Sequence, residues 1–202
     1  METLALSTKI PHERSIKGLH EVYLSFETGI RSAKALDPKK YLEDLGLNYN
    51  ELRIGFNSGQ FHHRQPQELK DHYERLGLLT KSDKGVRDES MTAYTAFGRY
   101  GIIFPLFDEH NHIVNLFAIR FKMATPQEDY LNDKGLYPCY PHPSTKKLFI
   151  VPTVLDGASL LQSKALENKE AVLALHNGKL LPQHLEAIES LEHLEQIIYI
   201  QR

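Results

Sequence analysis

The period of the apolar positions changes along this chain, and each period predicts an element. Residues 1–18 show no period and read as an arm. From Leu19 to Leu36, the residues Val22, Tyr23, Phe26, Ile30, Ala33 and Leu36 recur at the spacing of one helix face. Gly29 weakens that helix, because a glycine in a helix interior costs ~1 kcal/mol. Asp37-Pro38 predicts the next helix start, a cap followed by proline at the first helical position, and Gly46 predicts its end. Arg53 to Phe56 reads as a short strand, and Asn57-Ser58-Gly59 as a turn. Pro66 to Gly77 places Leu69, Tyr73 and Leu76 on one helical face, with Gly77 as the stop. Lys81 to Gly85 reads as a loop.

The strongest strand signal follows. Ile102 to Phe107 and Ile113 to Phe121 are apolar runs joined by the turn residues Asp108 to Asn111, which predicts a hairpin. Pro105 predicts an edge or a bulge in the first strand. Alternation sets Asn115, Phe117, Ile119 and Phe121 on one face, with Leu116, Ala118 and Arg120 on the other. Gly135 to Pro143 is punctuated by proline and marks a boundary near residue 146.

Beyond that boundary the pattern switches. Leu148 to Val151 is a continuous apolar run, the pattern of a strand buried on both faces. A turn over Pro152 to Leu155 leads to Asp156, at the position of a helix N-cap ahead of Ala158 to Leu161. Ala171 to Leu175 is a second buried strand, Pro182 to Leu194 a helix with Leu185, Ile188, Leu191 and Leu194 as its stripe, and Gln196 to Ile200 a last strand. Strand, helix and strand in close succession predict a parallel unit. Ligands of such sheets gather at the carboxyl ends of the strands, where Pro152, Asp156 and His176 lie. The fold class expected is an α+β N-terminal part with a β-hairpin, followed by a partial α/β unit of β-α-β-α-β order. The divisions expected are 1–36 (arm and helix), 37–146 and 147–202.

Composition narrows the classes. Apolar residues are 41% and charged residues 25%, which is ordinary for a globular chain. The lone Cys139 excludes an internal disulfide framework and suits a reducing cytoplasm. No apolar run approaches the ~18 residues of a membrane span. The first residues lack the basic and apolar regions of a secretory signal. A net charge of −2 restricts any nucleic-acid contact to a local patch. Among 11 histidines there is no Cys-x-x-Cys and no His-Glu-x-x-His, so no zinc site is expected. His62-His63-Arg64 reads as a phosphate or metal ligand or as a polar loop.

Several motifs, taken in order, resemble the catalytic core of bacterial DnaG-type primases. The stretch Tyr41 to His63 is similar to the segment that opens that core: Tyr-Leu, then Gly-Leu, then a Gly-Phe strand. Its continuation Asn57 to His63 looks most like primase-like proteins of Bacteroidetes mobile elements. The hairpin resembles the family's "Arg-x-x-Ile-x-Phe-Pro-Ile-x-Asp … Arg" hairpin, with Arg99 and Arg120 at or beside its basic positions. Tyr130, Leu131 and Asn132 match the family's "Lys-Tyr-Leu-Asn-Ser", with Asp129 in the place of lysine. From Lys147 onward the chain looks like the start of a Toprim domain. The resemblance covers roughly residues 37–200.

The resemblance implies chemistry and also departs from it. Family members hold magnesium with a glutamate after the first Toprim strand and an Asp-x-Asp after a later one. Here the glutamate falls on Pro152 and its glycine on Thr153, and the Asp pair would follow Ile200, where the sequence closes at Arg202. Asp156 is the one carboxylate retained for catalysis and metal binding, against its plain reading as a helix cap. The residues implied for nucleic acid or nucleotide are Arg99, Arg120, Lys122, Tyr130 and Asn132. Arg120 has a competing reading as an ion-pair partner of Asp108 or Glu109.

Three functions are expected from this pattern. One is a primase-like Toprim protein, or a piece of one, in DNA replication or mobile-element maintenance, with primer synthesis residing in an intact parent or relative. Another is a non-catalytic module with a degenerate Toprim fold that binds nucleic acid or a partner. The third is an unrelated α/β enzyme using His176, Asn177 and Asp156. Expected partners are single-stranded DNA and nucleotides, with a helicase or a second copy on the open sheet edge. The expected compartment is the cytoplasm.

Overall fold

The computed structural model describes residues 9–82, 93–122 and 127–201, with side chains of the first helix from residue 18 onward. That helix, α1 (Lys9–Arg31), buries Leu19, Val22, Tyr23, Phe26 and Ile30, the stripe expected from spacing. It starts well before Leu19, inside the stretch read as an arm. A backbone ladder can extend where no apolar stripe exists, and Pro11 is tolerated because it lies in the first turn. The helix also stops earlier than expected, and Leu36 is 70% exposed.

α2 (Leu36–Asp44) begins one residue before Asp37 and has no side-chain cap; Asp37 lies in its first turn and pairs instead with Lys122. Gly46, at a φ of 70°, closes it. β1 (Gly55–Asn57) crosses α1 at two glycines. A Cβ on Gly29 would stand 2.7 Å from the Phe56 carbonyl oxygen, and one on Gly55 would stand 2.7 Å from Phe26 Cβ. The glycine that weakens the helix in isolation is therefore what lets a strand lie against it.

α3 (Gln67–Arg75) ends at Gly77, as expected. β2 (Leu79–Ser82) and β3 (Ala93–Ala96) form a small antiparallel ribbon. Lys81 and Ser82, expected in a loop, belong to it; Asp83 to Gly85 lie outside the described residues. β4 (Gly101–Phe107) and β5 (Ile113–Arg120) make the predicted hairpin, flanked by β1 and by β6 (Gln127–Tyr130) in an antiparallel sheet of order β1-β4-β5-β6. Pro105 pairs with Leu116, β1 reaches only to Ile103, and the register shifts between Leu106 and Phe107. The missing N–H of Pro105 thus falls past the end of β1 and beside a bulge.

Alternation in the hairpin sorts two cores. Ile102, Phe104, Leu106, Phe117 and Ile119 share one cluster; Ile103, Phe107, Leu116 and Ala118 share another with α1.

β7 (Lys147–Val151), α4 (Val154–Gln162), β8 (Glu170–Ala174), α5 (Pro182–Glu189) and β9 (Gln196–Tyr199) follow, and the strands form a parallel sheet of order β8-β7-β9. α5 ends at Glu189, short of the expected Leu194, although Leu191 still packs into the core. Val151, Val154, Ala158, Val172 and Ala174 join Phe104 and Phe117 in one apolar cluster, so the parallel sheet and the antiparallel sheet share a core. No helix among the described residues is long and apolar enough to cross a membrane.

Candidate nucleic-acid interface

The turn before β4 sets the geometry of the basic end of the hairpin. Gly98 and Tyr100 both adopt left-handed backbone, at φ of 58° and 55°. Gly98 is needed there, since a Cβ would stand 2.7 Å from Ala118 Cβ. The turn leaves Tyr100 39% exposed. The Arg99 guanidinium lies 5.0 Å from the ring centroid and Lys122 Nζ 5.8 Å from it. Two of the sequence-implied cations thus meet on one aromatic ring. That ring was not among the residues the sequence singled out; the signal that marks it is the glycine-bracketed stretch Gly98-Arg99-Tyr100-Gly101.

Beside this ring runs a groove of about 550 Å³, lined among others by Lys34, Asp37, Ser58, Gln60, Tyr100 and Lys122. Lys122 Nζ is 2.6 Å from Asp37 Oδ2, and the hydrogen bond and charge of Lys122 hold the Asp37 carboxyl below the usual carboxylate range. Arg99 has no carboxylate partner among the described residues. Its methylenes cross Gly59, where a Cβ would stand 2.5 Å from Arg99 Cγ. The groove therefore presents an exposed ring, Lys34 and the Asp37–Lys122 pair to solvent, and the Arg99 guanidinium lies against that same ring.

Arg120 behaves differently. Its Nε and Nη2 donate to Asp129 Oδ2 at 3.0 and 2.7 Å. The pair crosses from β5 to β6 on the diagonal of a register that sets Ala118 opposite Asp129 and Arg120 opposite Gln127. Neither Asp108 nor Glu109 is involved; Asp108 accepts instead from the backbone and ring of His112 in the hairpin turn. Asp129, which stands where the resemblance puts lysine, is the group that ties Arg120 down.

Tyr130 is partly buried and packed between its aromatic neighbours. Its ring stacks on His176 at 4.3 Å with an interplanar angle of 15° and lies 4.7 Å from Phe117. Burial raises its phenol pKa. Asn132 is likewise committed to structure: its Nδ2 donates to the Val114 carbonyl at 3.0 Å, and its Oδ1 accepts from Lys134 N–H at 2.8 Å. The fully buried Asn115 completes that network. Its Nδ2 donates to the carbonyls of Asn132 and Lys134 at 2.6 and 2.7 Å, and its Oδ1 accepts from the N–H groups of Leu116 and Asn132 at 2.8 and 3.0 Å.

At the carboxyl end of the parallel sheet, Thr153 is the N-cap of α4 and Asp156 is not. Thr153 Oγ1 accepts from Asp156 N–H at 3.2 Å and donates to Asp156 Oδ2 at 2.6 Å. The helix starts at Val154, within the stretch read as a turn, and this shifts Asp156 into the first turn, where a carboxylate suits the helix dipole. His176, two residues past the end of β8, donates from Nε2 to Gly135 O at 3.2 Å. Burial, then His184, pushes its pKa down to about 4, so it is neutral near pH 7. His184 accepts from Leu181 N–H at Nδ1, 3.0 Å, which leaves Nε2–H to donate to Ala174 O at 3.2 Å. His62 is also buried, with Nδ1 unpartnered and its pKa pushed down to about 4 by burial first and then by neighbouring cations. It belongs to an aromatic cluster with Phe61 and Tyr94.

Two-metal phosphoryl chemistry takes several carboxylates around one centre. Among the described residues, no three His, Cys, Asp or Glu side chains form such a group. Pro152 has no side-chain ligand atom, and Asp156 shares an oxygen with the Thr153 hydroxyl. The residues described here do not fit a magnesium pair, and no catalytic step is derived through one.

No protein-family model and no curated protein sequence matches the chain. Solved structures do. A DnaG primase catalytic domain bound to single-stranded DNA superposes with a TM-score of 0.74 at 14% identity, over 93% of this chain and 61% of that one. The E. coli primase catalytic core gives 0.73 at 16%, over 91% and 61%. A DNA primase domain from Pseudomonas aeruginosa gives 0.71 at 15%, over 92% and 60%. The chain spans about three-fifths of the length of those domains. Sequence identity this low speaks to architecture alone, and on that evidence the chain has the fold of a DnaG-type primase catalytic core.

Proposed function

We propose that this chain is a primase-like protein of the Toprim type that binds single-stranded nucleic acid along the groove beside Tyr100. The observation that carries the reading is the cluster itself: Arg99 and Lys122 on an exposed Tyr100, bordered by Lys34 and the Ser58–Gln60 loop. Cations that follow a backbone, with an aromatic platform for a base, are the usual equipment for single strands. Support also comes from the neighbouring folds, one of which is a primase catalytic domain bound to single-stranded DNA. Within the proposal, Arg120, Tyr130 and Asn132 act as framework rather than as ligands of the strand. Primer synthesis by these residues alone is proposed to be absent, because Asp156 is a single carboxylate where metal-dependent transfer needs a set. A role in replication or mobile-element maintenance in the cytoplasm, with relatives in Bacteroidetes mobile elements, rests on the motif Asn57 to His63 and on the shared fold.

The test is binding of a labelled single-stranded oligonucleotide to the wild type and to Tyr100→Ala. Loss of one base-stacking ring costs ~1–3 kcal/mol of affinity. Unchanged affinity removes the ring from the interface.

A second reading has its own observation. Ile197 and Tyr199, two apart on β9 and so on one face of the sheet, are 42% and 59% exposed, and an exposed apolar pair suits contact with a helicase or a second copy.

A further inference from the structure

β8 is the other outer strand of the parallel sheet, and its peptide groups alternate in direction. Leu175 N–H donates inward to Val151 O at 2.9 Å, whereas Ala174 N–H donates outward to Tyr137 O at 3.0 Å. Even-numbered residues of β8 therefore face away from β7. At the outward positions, Glu170 N–H is taken by Glu167 O at 3.1 Å, and Ala174 O accepts from His184 Nε2 at 3.2 Å. Val172 lies between them, and neither its N–H nor its C=O has a partner among the described residues.

The chain that could have paired there turns aside. Tyr137 bridges to Ala174, but Pro138 brings no N–H, and residues 138–145 stand off from the strand. Between them lies a groove of about 910 Å³ with Ala171 and Val172 at its floor. That volume is at the upper end of the roughly 300–1,000 Å³ typical of ligand clefts. One wall carries Tyr140, Pro141 and Pro143, and the other Leu161 and Leu166. Two carboxylates, Glu109 and Glu186, line the groove and act on Tyr140, and one lysine, Lys169, lines it as well. Burial and then the carboxylates of Glu109, Glu186 and Asp108 raise the phenol pKa of Tyr140; of these acids Glu109 and Glu186 line the groove. Glu170 is excluded from this count because it pairs with the permanently charged Lys147, whereas Glu109 meets only the exposed His110 ring, at 3.5 Å.

We propose that the groove takes an extended segment of a partner protein, paired through its backbone to Val172 and carrying a lysine or arginine toward Glu109 and Glu186. An unpaired peptide group at a strand edge selects an extended backbone, and the acids select the charge of its side chain. This site is separate from the Tyr100 groove: none of the residues lining one lines the other.

The experiment selects a displayed library of short random peptides on the full chain. It then compares the enriched peptides on the wild type and on a Glu109→Lys, Glu186→Lys double variant. Both carboxylates are exposed, so the fold should survive, and thermal melting checks that it does. The expected peptides carry a basic residue among β-branched ones, bind the double variant roughly tenfold more weakly and slow hydrogen exchange at the Val172 amide. Failure to enrich any peptide, equal binding to both proteins, or unchanged exchange at Val172 overturns the proposal.

Discussion

Asn115 is the residue whose role is most at odds with its type. Alternation in β5 placed it on a face of the hairpin, with nothing to say that the face was dry. The structure buries it completely and gives its amide two donor and two acceptor contacts. Asn115→Ala should lower unfolding stability by about 2–3 kcal/mol, because it strands buried peptide groups of Asn132 and Leu116. Denaturant titration checks this; a loss below that of an ordinary surface change would contradict it. Arg120→Ala should cost only ~0–1 kcal/mol, since each side chain of the Arg120–Asp129 pair is about one-third exposed. Thr153→Ala should cost about 1 kcal/mol as a lost N-cap. The motif match that pointed to Asn132 and Tyr130 falls on residues whose atoms make contacts within the turn after β6 and with His176.

Among the elements, those with a strong physical signature were legible and those without were not. β7 and β8 stand out because a parallel strand covered on both sides is apolar without interruption. β4 and β5 stand out for a related reason, their two faces feeding two cores. β3 (Ala-Tyr-Thr-Ala) and β6 (Gln-Glu-Asp-Tyr) are four-residue strands, the one of mostly small residues without an apolar alternation and the other polar, and their pairing comes from a neighbour rather than from their own pattern. The start of α4 was misread because Thr153 and Asp156 are both good caps and only the backbone decides between them. Tyr100 was missed because exposure depends on a left-handed turn that sequence spacing does not encode. The α1–β1 crossing reverses an ordinary expectation. Gly-to-Ala in a helix usually adds about 1 kcal/mol of stability. Gly29→Ala should instead destabilise, because the new Cβ would meet the Phe56 carbonyl oxygen at 2.7 Å. A higher melting temperature for Gly29→Ala would show that the crossing can relax.

For the whole molecule, acid stability follows from the buried histidines. His62 and His176 titrate at about 4 in the fold, against the ordinary 6.5. Between those values the unfolded chain binds protons that the folded chain refuses, so stability falls as the pH falls from about 6.5 toward 4. The loss grows across that window as the folded chain is forced to take up the protons. Melting temperatures across that window should drop for the wild type and drop less for His176→Gln. Equal slopes would mean that His176 takes up its proton in the folded state.

The overall charge of −2 gives no general attraction for nucleic acid, so the proposed binding rests on the patch at Tyr100. The most direct test of that claim is the salt dependence of single-strand affinity for the wild type, Arg99→Ala and Arg120→Ala. Each phosphate contact removed lowers the slope of log affinity against log salt by roughly 0.7. The account predicts a shallower slope for Arg99→Ala and a wild-type slope for Arg120→Ala, whose guanidinium Asp129 already holds. An unchanged slope for Arg99→Ala, with a shallower one for Arg120→Ala, would put the strand on the β5–β6 face and contradict the account.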